Sequence, residues 1–316
     1  MNKKNIMVSV IIISYKQEKY IRDAIDSVLS QKVNFKYELL LADDCSNDGT
    51  LEIMSDYVKK YPSIIKVLPR PVNLGASKNY LDALKKCSGK YIAVLEGDDY
   101  WIDDCKLQQQ VDFLEKNDDF ICVAHLQEGR SLNGDLLGIF PHPLKQDMII
   151  NNLQDMLNGK QFSCSSRLMR NIFIDEEKFN DIVHLLSFDK VVGDLQFNAY
   201  LCSLGKVYVI NKPMMVYRMR TNDGESNYNS SHPINDIEYT YLKINIKLEE
   251  FFNYKYNFFK QISKSYTLGI AYDICKFNFK DIKRFNKLIP KKHKCKSILL
   301  FPYTSVKILV DRFIRK

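Results

Sequence analysis

The sequence predicts an α/β fold in which a doubly wound, mostly parallel sheet is flanked by helices and followed by a helical C-terminal region. Three observations predict this fold. Strand-like and helix-like segments alternate four times in the first 120 residues, their connections are short, and polar loops follow the strands. In open α/β sheets such loops line one crevice, which is where ligands bind.

The first strand is predicted around residues 7–13, because a continuous β-branched run is typical of a strand buried on both faces. A helix follows in "EKYIRDAIDSVLSQ". Its apolar residues recur at helical spacing, at Ile21, Ala24, Ile25, Val28 and Leu29.

The pairing of strand and helix then repeats three times. "YELLLAD" precedes "TLEIMSDYVKKY", "IIKVLP" precedes "GASKNYLDALKKCSG", and "KYIAVLEGDD" precedes "KLQQQVDFLEKN". Gly89 is predicted to end the third helix as a C′ glycine. Four such units predict a parallel sheet with right-handed crossovers.

The alternation weakens after about residue 125. "FNAYLCSLG" predicts a helix, "KVYVIN" and "MMVYRMR" predict two short strands, and "TNDGESNYNSSHP" predicts a polar loop. Aromatic and basic residues at helical spacing predict a helical region over 236–316. We therefore predict three parts, at 1–125, 126–235 and 236–316.

The bulk composition is that of a soluble globular protein, with 46% hydrophobic and 27% charged residues. The net charge of +8 comes largely from basic residues after 240, which fit either a solvated surface or a polyanionic partner. Eight cysteines without a CxxC pair predict reduced thiols. No stretch of the sequence approaches the length of about 20 apolar residues that a membrane-spanning helix requires. We predict a cytoplasmic protein.

The nucleotide-binding fingerprints of dehydrogenases and P-loop proteins do not occur in the sequence. Acidic residues end two predicted strands instead: Asp43 and Asp44 the second, and Glu96, Asp98 and Asp99 the fourth. Clustered carboxylates suit Mg²⁺ or Mn²⁺, which bridge to phosphate. Such a cation would remove the repulsion between the acids and assist a diphosphate leaving group.

Turn formation and helix capping are the alternative explanation of these acids. The alternative is strong for "SNDGT", where Asp48 is a good helix N-cap. It is weaker for "EGDD", because three acids before Tyr-Trp exceed what capping requires.

Four segments in order resemble the family-2 glycosyltransferases of the GT-A fold. They are "VSVIIISYKQEKYIRDAIDSVLSQ", "ELLLADDCSNDGT", "NLGASKNYLDAL" and the region from "GKYIAVLEGDDYW" to "CKLQQQVDFL". The similarity covers residues 7–120 and a further piece near 190–218. It implies a GT-A sheet and an enzyme that uses a nucleotide-diphosphate sugar, mostly with inversion. Four ordered motifs are far more specific than a lone DxD.

The resemblance implies a nucleotide site at three strand ends. The end of the first strand resembles the segment that lines base and ribose, "ADDCSNDGT" carries the aspartate that contacts the base, and "RPVNLGASKN" resembles the element beneath the nucleotide. The candidate residues are Ser14, Tyr15, Asp43, Asp44, Arg70, Asn73 and Gly75.

The resemblance also places "EGDD" at the DxD position, whose acids bind ribose and metal. We expect Asp98 and Asp99 to hold Mn²⁺ or Mg²⁺, with Asp98 also at the nucleotide. Glu96 stands where relatives carry aspartate. Whether it is a third ligand stays open at this point.

The base of an inverting transfer is assigned to Asp194, which resembles the acid that opens a helix before a "GKVY" strand. Capping of that helix is the alternative, and Asp189 is a rival. Further along, Arg220 stands where many relatives carry a histidine near the diphosphate; it is either a diphosphate ligand or a surface charge. His142 lies in a plausible acceptor loop, where a structural role is favoured.

The C-terminal run "SILLFPYTSVKILVDRFIRK" fits a packed helix or, alternatively, peripheral contact with the inner face of the cell membrane. The resemblance makes 1–125 the nucleotide-sugar-binding half and 126–235 the acceptor-binding half of one catalytic domain. It implies a metal-dependent inverting glycosyltransferase that moves a sugar, expected from a UDP-sugar, to a glycan or lipid-linked glycan in bacterial surface polysaccharide synthesis. The alternatives are a non-catalytic sugar-nucleotide-binding protein and a nucleotidyltransferase. No nucleic-acid partner is expected.

Overall fold

A mixed sheet organises the first part of the chain in a computed structural model, which describes residues 6–141, 144–188, 193–219, 233–275, 279–294 and 296–297. Within these ranges the strands are β1 (Val8–Ser14), β2 (Tyr37–Asp43), β3 (Ile65–Val67), β4 (Tyr91–Glu96), β5 (Tyr100–Trp101), β6 (Phe120–Arg130), β7 (Leu136–Phe140), β8 (Met148–Ile150), β9 (Leu168–Arg170) and β10 (Lys206–Arg218).

The helices of the same ranges are α1 (Ile21–Leu29), α2 (Thr50–Lys60), α3 (Ala76–Lys86), α4 (Lys106–Lys116), α5 (Leu153–Leu157), α6 (Glu176–Leu186), α7 (Asp194–Leu204), α8 (Ile234–Phe251), α9 (Phe259–Cys275) and α10 (Phe279–Leu288). The described chain divides into two compact units, residues 1–219 and 220–316. The predicted boundary at 125 falls inside β6.

The sheet runs in the order β3-β2-β1-β4-β9-β6-β10-β5, with β7 beside β6 and β8 beside β10. The strands β3, β2, β1 and β4 are parallel, and so are β6 and β10, whereas β9 is antiparallel to both its neighbours. The predicted α/β fold with a mostly parallel sheet is confirmed.

The register of the parallel strands brings their carboxyl ends to one edge. Ser14 pairs with Asp43 across β1 and β2, and Ile13 pairs with Glu96 across β1 and β4. The core beneath this edge is built from the fully buried strand residues Val10, Ile12, Leu41 and Leu95, covered by helix residues such as Ile25. A close-packed core of this kind fixes the strand ends rigidly.

Two predictions about local structure are wrong. Helix α3 ends at Lys86 with an extended C-cap, so Gly89 does not occupy its C′ position. Gly89 is required by packing instead: a Cβ there would lie 2.5 Å from the Ser9 main-chain nitrogen. "KVYVIN" and "MMVYRMR" are not two strands but the single strand β10, in which register shifts around Pro213 absorb the missing N–H.

Among the described residues, six cysteines are free: Cys45, Cys87, Cys105, Cys122, Cys164 and Cys202.

The second unit is helical in its described ranges. A Cβ on Gly269 of α9 would lie 2.1 Å from Phe285 of α10, so these two helices approach closely. The buried Glu249 carboxylate accepts from His293 Nε2 at 2.9 Å and pairs with Lys292 Nζ at 2.8 Å. None of the helices within the described ranges is long and apolar enough to cross a membrane.

The surplus positive charge of the chain belongs to this second unit. Residues 220–316 contain 19 Lys and Arg against 9 Asp and Glu, whereas residues 1–219 contain 27 against 29.

Candidate active site

The first group of site residues lies at the ends of β1 and β2. Asp43 is buried, and its carboxylate accepts from the Ser14 hydroxyl at 3.1 Å and from the Ser46 hydroxyl and N–H at 2.6 and 2.9 Å. Tyr15 follows directly with 44% of its surface exposed. The strand ends therefore carry an exposed tyrosine and an oriented carboxylate.

Asp44 fixes the loop that precedes α3. Its carboxylate accepts the N–H groups of Leu74 and Gly75 at 2.7 and 2.8 Å, and its main-chain oxygen accepts from Asn73 Nδ2 at 3.0 Å. Gly75 adopts φ +82°, ψ 152°, a conformation that is nearly restricted to glycine. These bonds place residues 73–75 against the end of β2.

Arg70 precedes α3, and its side chain contacts residues of that helix. Its Nε donates to Asn79 Oδ1 at 3.1 Å, and its guanidinium pairs with Asp82 at 2.9 Å. Asn79 in turn donates to the carbonyl of Ala42 at 2.7 Å. Arg70 thus reaches the strand end through Asn79.

The second group is the acid cluster at the end of β4: Glu96, Asp98 and Asp99, with one carboxylate oxygen of each within 4.8 Å of the others. Gly97 makes this turn possible. Its N–H donates to the carbonyl of Ile13 at 2.8 Å, and a Cβ would lie 3.0 Å from the Ser14 Cβ. The acid cluster is therefore packed against β1.

The electrostatics of the acid cluster are those of carboxylates crowded together inside protein. Burial, Asp98 and Asp194 raise the pKa of Glu96 to about 8. Burial, Asp98 and Glu96 raise the pKa of Asp99 well above its ordinary value, although its carboxylate accepts the Arg218 N–H at 2.9 Å. A bound cation would offset both effects.

The donor set therefore fits a divalent cation. Three carboxylates within bridging distance are the hard oxygen ligands that Mg²⁺ and Mn²⁺ take. A second acidic group nearby is neutralised instead, because Asp103 pairs with Lys212 at 2.6 Å and Asp104 with Lys32 at 2.5 Å.

Asp194 is exposed at the first position of α7 and lies close enough to Glu96 to contribute to the raised pKa of that residue. Two side chains that sequence reasoning missed lie near Glu96. They are Cys164, whose Sγ is 3.8 Å from Glu96 Oε1, and the buried Arg167, whose charge acts on Glu96. Arg167 donates to Asn198 at 2.7 Å and to Tyr80 at 3.2 Å. The sequence around Arg167, "SCSSRLM", contains no pattern that predicts a residue of this site.

The structure thus brings Ser14, Asp43, Asp44, Asn73 and Gly75 into one hydrogen-bonded group. Gly97, within the acid cluster, packs against Ser14 of that group. Asp194 is close enough to the acid cluster to contribute to the raised pKa of Glu96. The candidates Arg220, Asp189 and His142, and most of the C-terminal run, lie outside the described residues.

The sequence profile described as "Glycosyl transferase family 2" matches residues 9–176. The chain belongs to this family. Curated relatives include the putative teichuronic acid biosynthesis glycosyltransferase TuaG of Bacillus subtilis, 40% identical over 108 residues, which are 34% of this chain and 42% of TuaG. The uncharacterized protein Rv1520 of Mycobacterium tuberculosis is 39% identical over 117 residues, 37% of this chain and 34% of that protein.

A further relative is the poly(ribitol-phosphate) beta-glucosyltransferase of Bacillus spizizenii, 34% identical over 131 residues, which are 40% of this chain and 20% of that enzyme. The matches to the first relatives span only about a third of their length. Among solved structures, Staphylococcus aureus TarS 1–349 in complex with UDP-GlcNAc superposes with a TM-score of 0.61 at 18% identity, covering 92% of this chain and 83% of TarS 1–349. That likeness supports the GT-A fold.

Proposed function

We propose that this protein is a metal-dependent inverting glycosyltransferase that moves a sugar from a nucleotide-diphosphate donor to a hydroxyl of a glycan or lipid-linked glycan. The observation that carries the proposal is the acid cluster at the end of β4, with Asp194 at the start of α7 close enough to raise the pKa of Glu96. Family membership supports the transferase class. Residues 1–125 form the donor-binding half in this proposal, and the acceptor half follows them.

The nucleotide would lie over the ends of β1 and β2. Tyr15 offers a face for the base, while Ser14 and Asp43 present oriented polar atoms to base and ribose. Residues 73–75, bonded to Asp44, would form one wall of the nucleotide site. Arg70 would support the end of β2 through its hydrogen bond to Asn79. A solved TarS complex with UDP-GlcNAc has the same fold, which supports a UDP-sugar as donor.

Asp98 and Asp99, with Glu96 as a third ligand, would hold Mn²⁺ or Mg²⁺. When bound, the cation supplies Lewis-acid stabilisation of charge on the departing diphosphate. The acid cluster lies next to the end of β1, because Glu96 pairs with Ile13. The diphosphate would lie there, following the ribose.

Asp194 would accept the proton of the acceptor hydroxyl. The hydroxyl oxygen forms a bond to the anomeric carbon, the bond from that carbon to the diphosphate oxygen breaks on the opposite face, and the nucleoside diphosphate leaves. The configuration at the anomeric carbon is therefore inverted. Asp194 can take this role because it is exposed and close enough to Glu96 to contribute to the raised pKa of that residue.

The reaction class is tested by measuring nucleotide release from UDP- and GDP-sugars with Mn²⁺ and anionic or neutral glycan acceptors. Acceptor-dependent release of the nucleoside diphosphate supports the proposal. Tight UDP binding without turnover contradicts it in favour of a binding protein, and pyrophosphate release from a nucleoside triphosphate contradicts it in favour of a nucleotidyltransferase.

The base is tested with Asp194→Asn, for which we expect turnover to fall about 10²- to 10⁴-fold with UDP binding retained. The matched control is Asp175→Asn, because Asp175 also begins a helix but caps it, accepting the N–H of Glu177 at 3.0 Å. The control should lose little stability, because asparagine caps a helix about as well as aspartate. Full transfer by Asp194→Asn would refute the assignment of the base.

A further inference from the structure

Arg218, the last residue of β10, joins three elements at the edge of the acid cluster. Its side chain is 14% exposed. The guanidinium carbon lies 5.1 Å from the ring centroid of Tyr20 and 4.5 Å from that of Tyr100, so the charged group is packed against two aromatic rings. This environment holds the side chain in one place.

Both the main chain and the side chain of Arg218 bind the acid cluster. The Arg218 N–H donates to Asp99 Oδ1 at 2.9 Å, and Nη1 donates to the main-chain oxygen of Asp98 at 2.7 Å. The first bond orients a carboxylate, and the second fixes the backbone between the two aspartates. A substitution at 218 keeps the N–H, so it isolates the contribution of the guanidinium.

The remaining end of the guanidinium is held by α1. Nη2 of Arg218 pairs with the carboxylate of Asp23, whose side chain is 56% exposed. A guanidinium has a rigid planar fork, so bonds from its two ends fix its orientation as well as its position. Lysine can replace the charge but not the fork.

We propose that Arg218 is a positioning residue that sets the spacing of Asp98 and Asp99 and thereby the affinity of the acid cluster for a divalent cation. The inference rests on the proposed function, since it concerns the cation that the acid cluster would hold. Arg218 carries a positive charge next to the acids and yet binds a main-chain oxygen of the loop. Its role is therefore to orient the ligands rather than to occupy the place of the cation.

The test measures Mn²⁺ binding to the full chain by electron paramagnetic resonance, with folding checked by circular dichroism. We expect Arg218→Gln to raise the Kd for Mn²⁺ at least tenfold and Arg218→Lys to raise it less. The metal concentration for half-maximal nucleotide release should rise in parallel, while turnover at saturating Mn²⁺ stays within about threefold of wild type.

The matched control is Arg170→Gln. Arg170 also binds main-chain oxygens, of Phe120 and Leu114 at 2.8 Å each, and packs on a tyrosine ring, but it pairs with Tyr91 at the opposite end of β4. We expect it to lose stability and to keep its Mn²⁺ affinity within twofold. Asp23→Asn should weaken Mn²⁺ binding in the wild-type background and have no further effect with Arg218→Gln.

A folded Arg218→Gln variant with wild-type Mn²⁺ affinity overturns this proposal and leaves the proposed function intact. A wild-type chain that binds no Mn²⁺ overturns the metal-dependent function itself, and the role of Arg218 with it.

Discussion

The Nζ atom of Lys106 lies 3.9 Å from the centroid of the Trp101 ring and donates to Gln110 Oε1 at 2.9 Å. Lys106 is fully buried at the start of α4, and burial lowers its pKa to about 7. The tryptophan that follows the acid cluster thus covers a buried amine. The ring face attracts the protonated form of that amine.

The first prediction concerns the pH dependence that Lys106 creates. An unfolded lysine titrates near 10.4, so the unfolded chain binds more protons than the folded one between pH 7 and 10. The free energy of unfolding of the wild type should rise over this range relative to Lys106→Met, by roughly 2 to 3 kcal/mol between pH 7 and 9.5. Urea unfolding at both pH values measures the difference. Parallel stability curves would show that Lys106 stays protonated in the fold.

The second prediction has the opposite sign and concerns Glu96. The folded pKa of about 8 lies above the ordinary value. The contribution of Glu96 to the free energy of unfolding is therefore greatest below about pH 4.5 and falls as the pH rises towards 8. The difference in free energy of unfolding between Glu96→Gln and the wild type should grow in favour of the variant by roughly 2 to 4 kcal/mol as the pH rises from 5 to 9, since one pKa unit corresponds to about 1.4 kcal/mol. Unfolding is measured in EDTA, so that no cation offsets the repulsion. A pH-independent difference would contradict the prediction.

The third prediction separates backbone strain from nucleotide binding. Gly75→Ala should cost roughly 1 to 3 kcal/mol, because Gly75 adopts a conformation unfavourable to alanine although no atom lies within 4 Å of the added Cβ. It should also weaken UDP binding at least tenfold, because the N–H that binds Asp44 must move.

Gly134→Ala is the control for Gly75→Ala. Gly134 has φ +89° with equally open space, but it lies in the turn between β6 and β7. Its substitution should cost stability and leave UDP binding unchanged in isothermal titration. Equal losses of UDP affinity in both variants would remove residues 73–75 from the nucleotide site.

The fourth prediction concerns packing in the second unit. Gly269→Ala would place a Cβ 2.1 Å from the Phe285 ring, so we expect a loss of about 1 to 3 kcal/mol in thermal unfolding. Phe285→Leu in the same chain should recover part of that loss, because the smaller side chain relieves the clash. A neutral Gly269→Ala would mean that α9 and α10 separate without cost.

The sequence predicts the first four strand–helix units closely because their signals are local. β2 begins and ends with the quoted "YELLLAD", and α2, α3 and α4 differ from the predicted helices by a few residues. A burial period within one element requires no knowledge of its neighbours. The acid cluster was also predictable, since it ends a strand.

Long-range relationships were not predictable in this way. Arg218 and Asp99 are 119 residues apart, and nothing near Arg218 in the sequence indicates that its N–H meets a carboxylate. The continuity of β10 was missed because Asn211, Lys212 and Pro213 have the composition of a turn. Pairing with β6 on one side and with β8 and β5 on the other holds the strand together through its bulges.

The turn at Gly97 has a thermodynamic consequence. Its amide is bonded to β1, the Asp99 amide to Glu96 and the Arg218 amide to Asp99, so hydrogen bonds within the chain itself order the backbone that carries the acids. Little conformational entropy is then lost when a cation arrives, and its affinity would be limited by desolvation and proton release instead. Amide hydrogen exchange at Gly97 and Asp99 should therefore be slow without Mn²⁺ and hardly change when it is added.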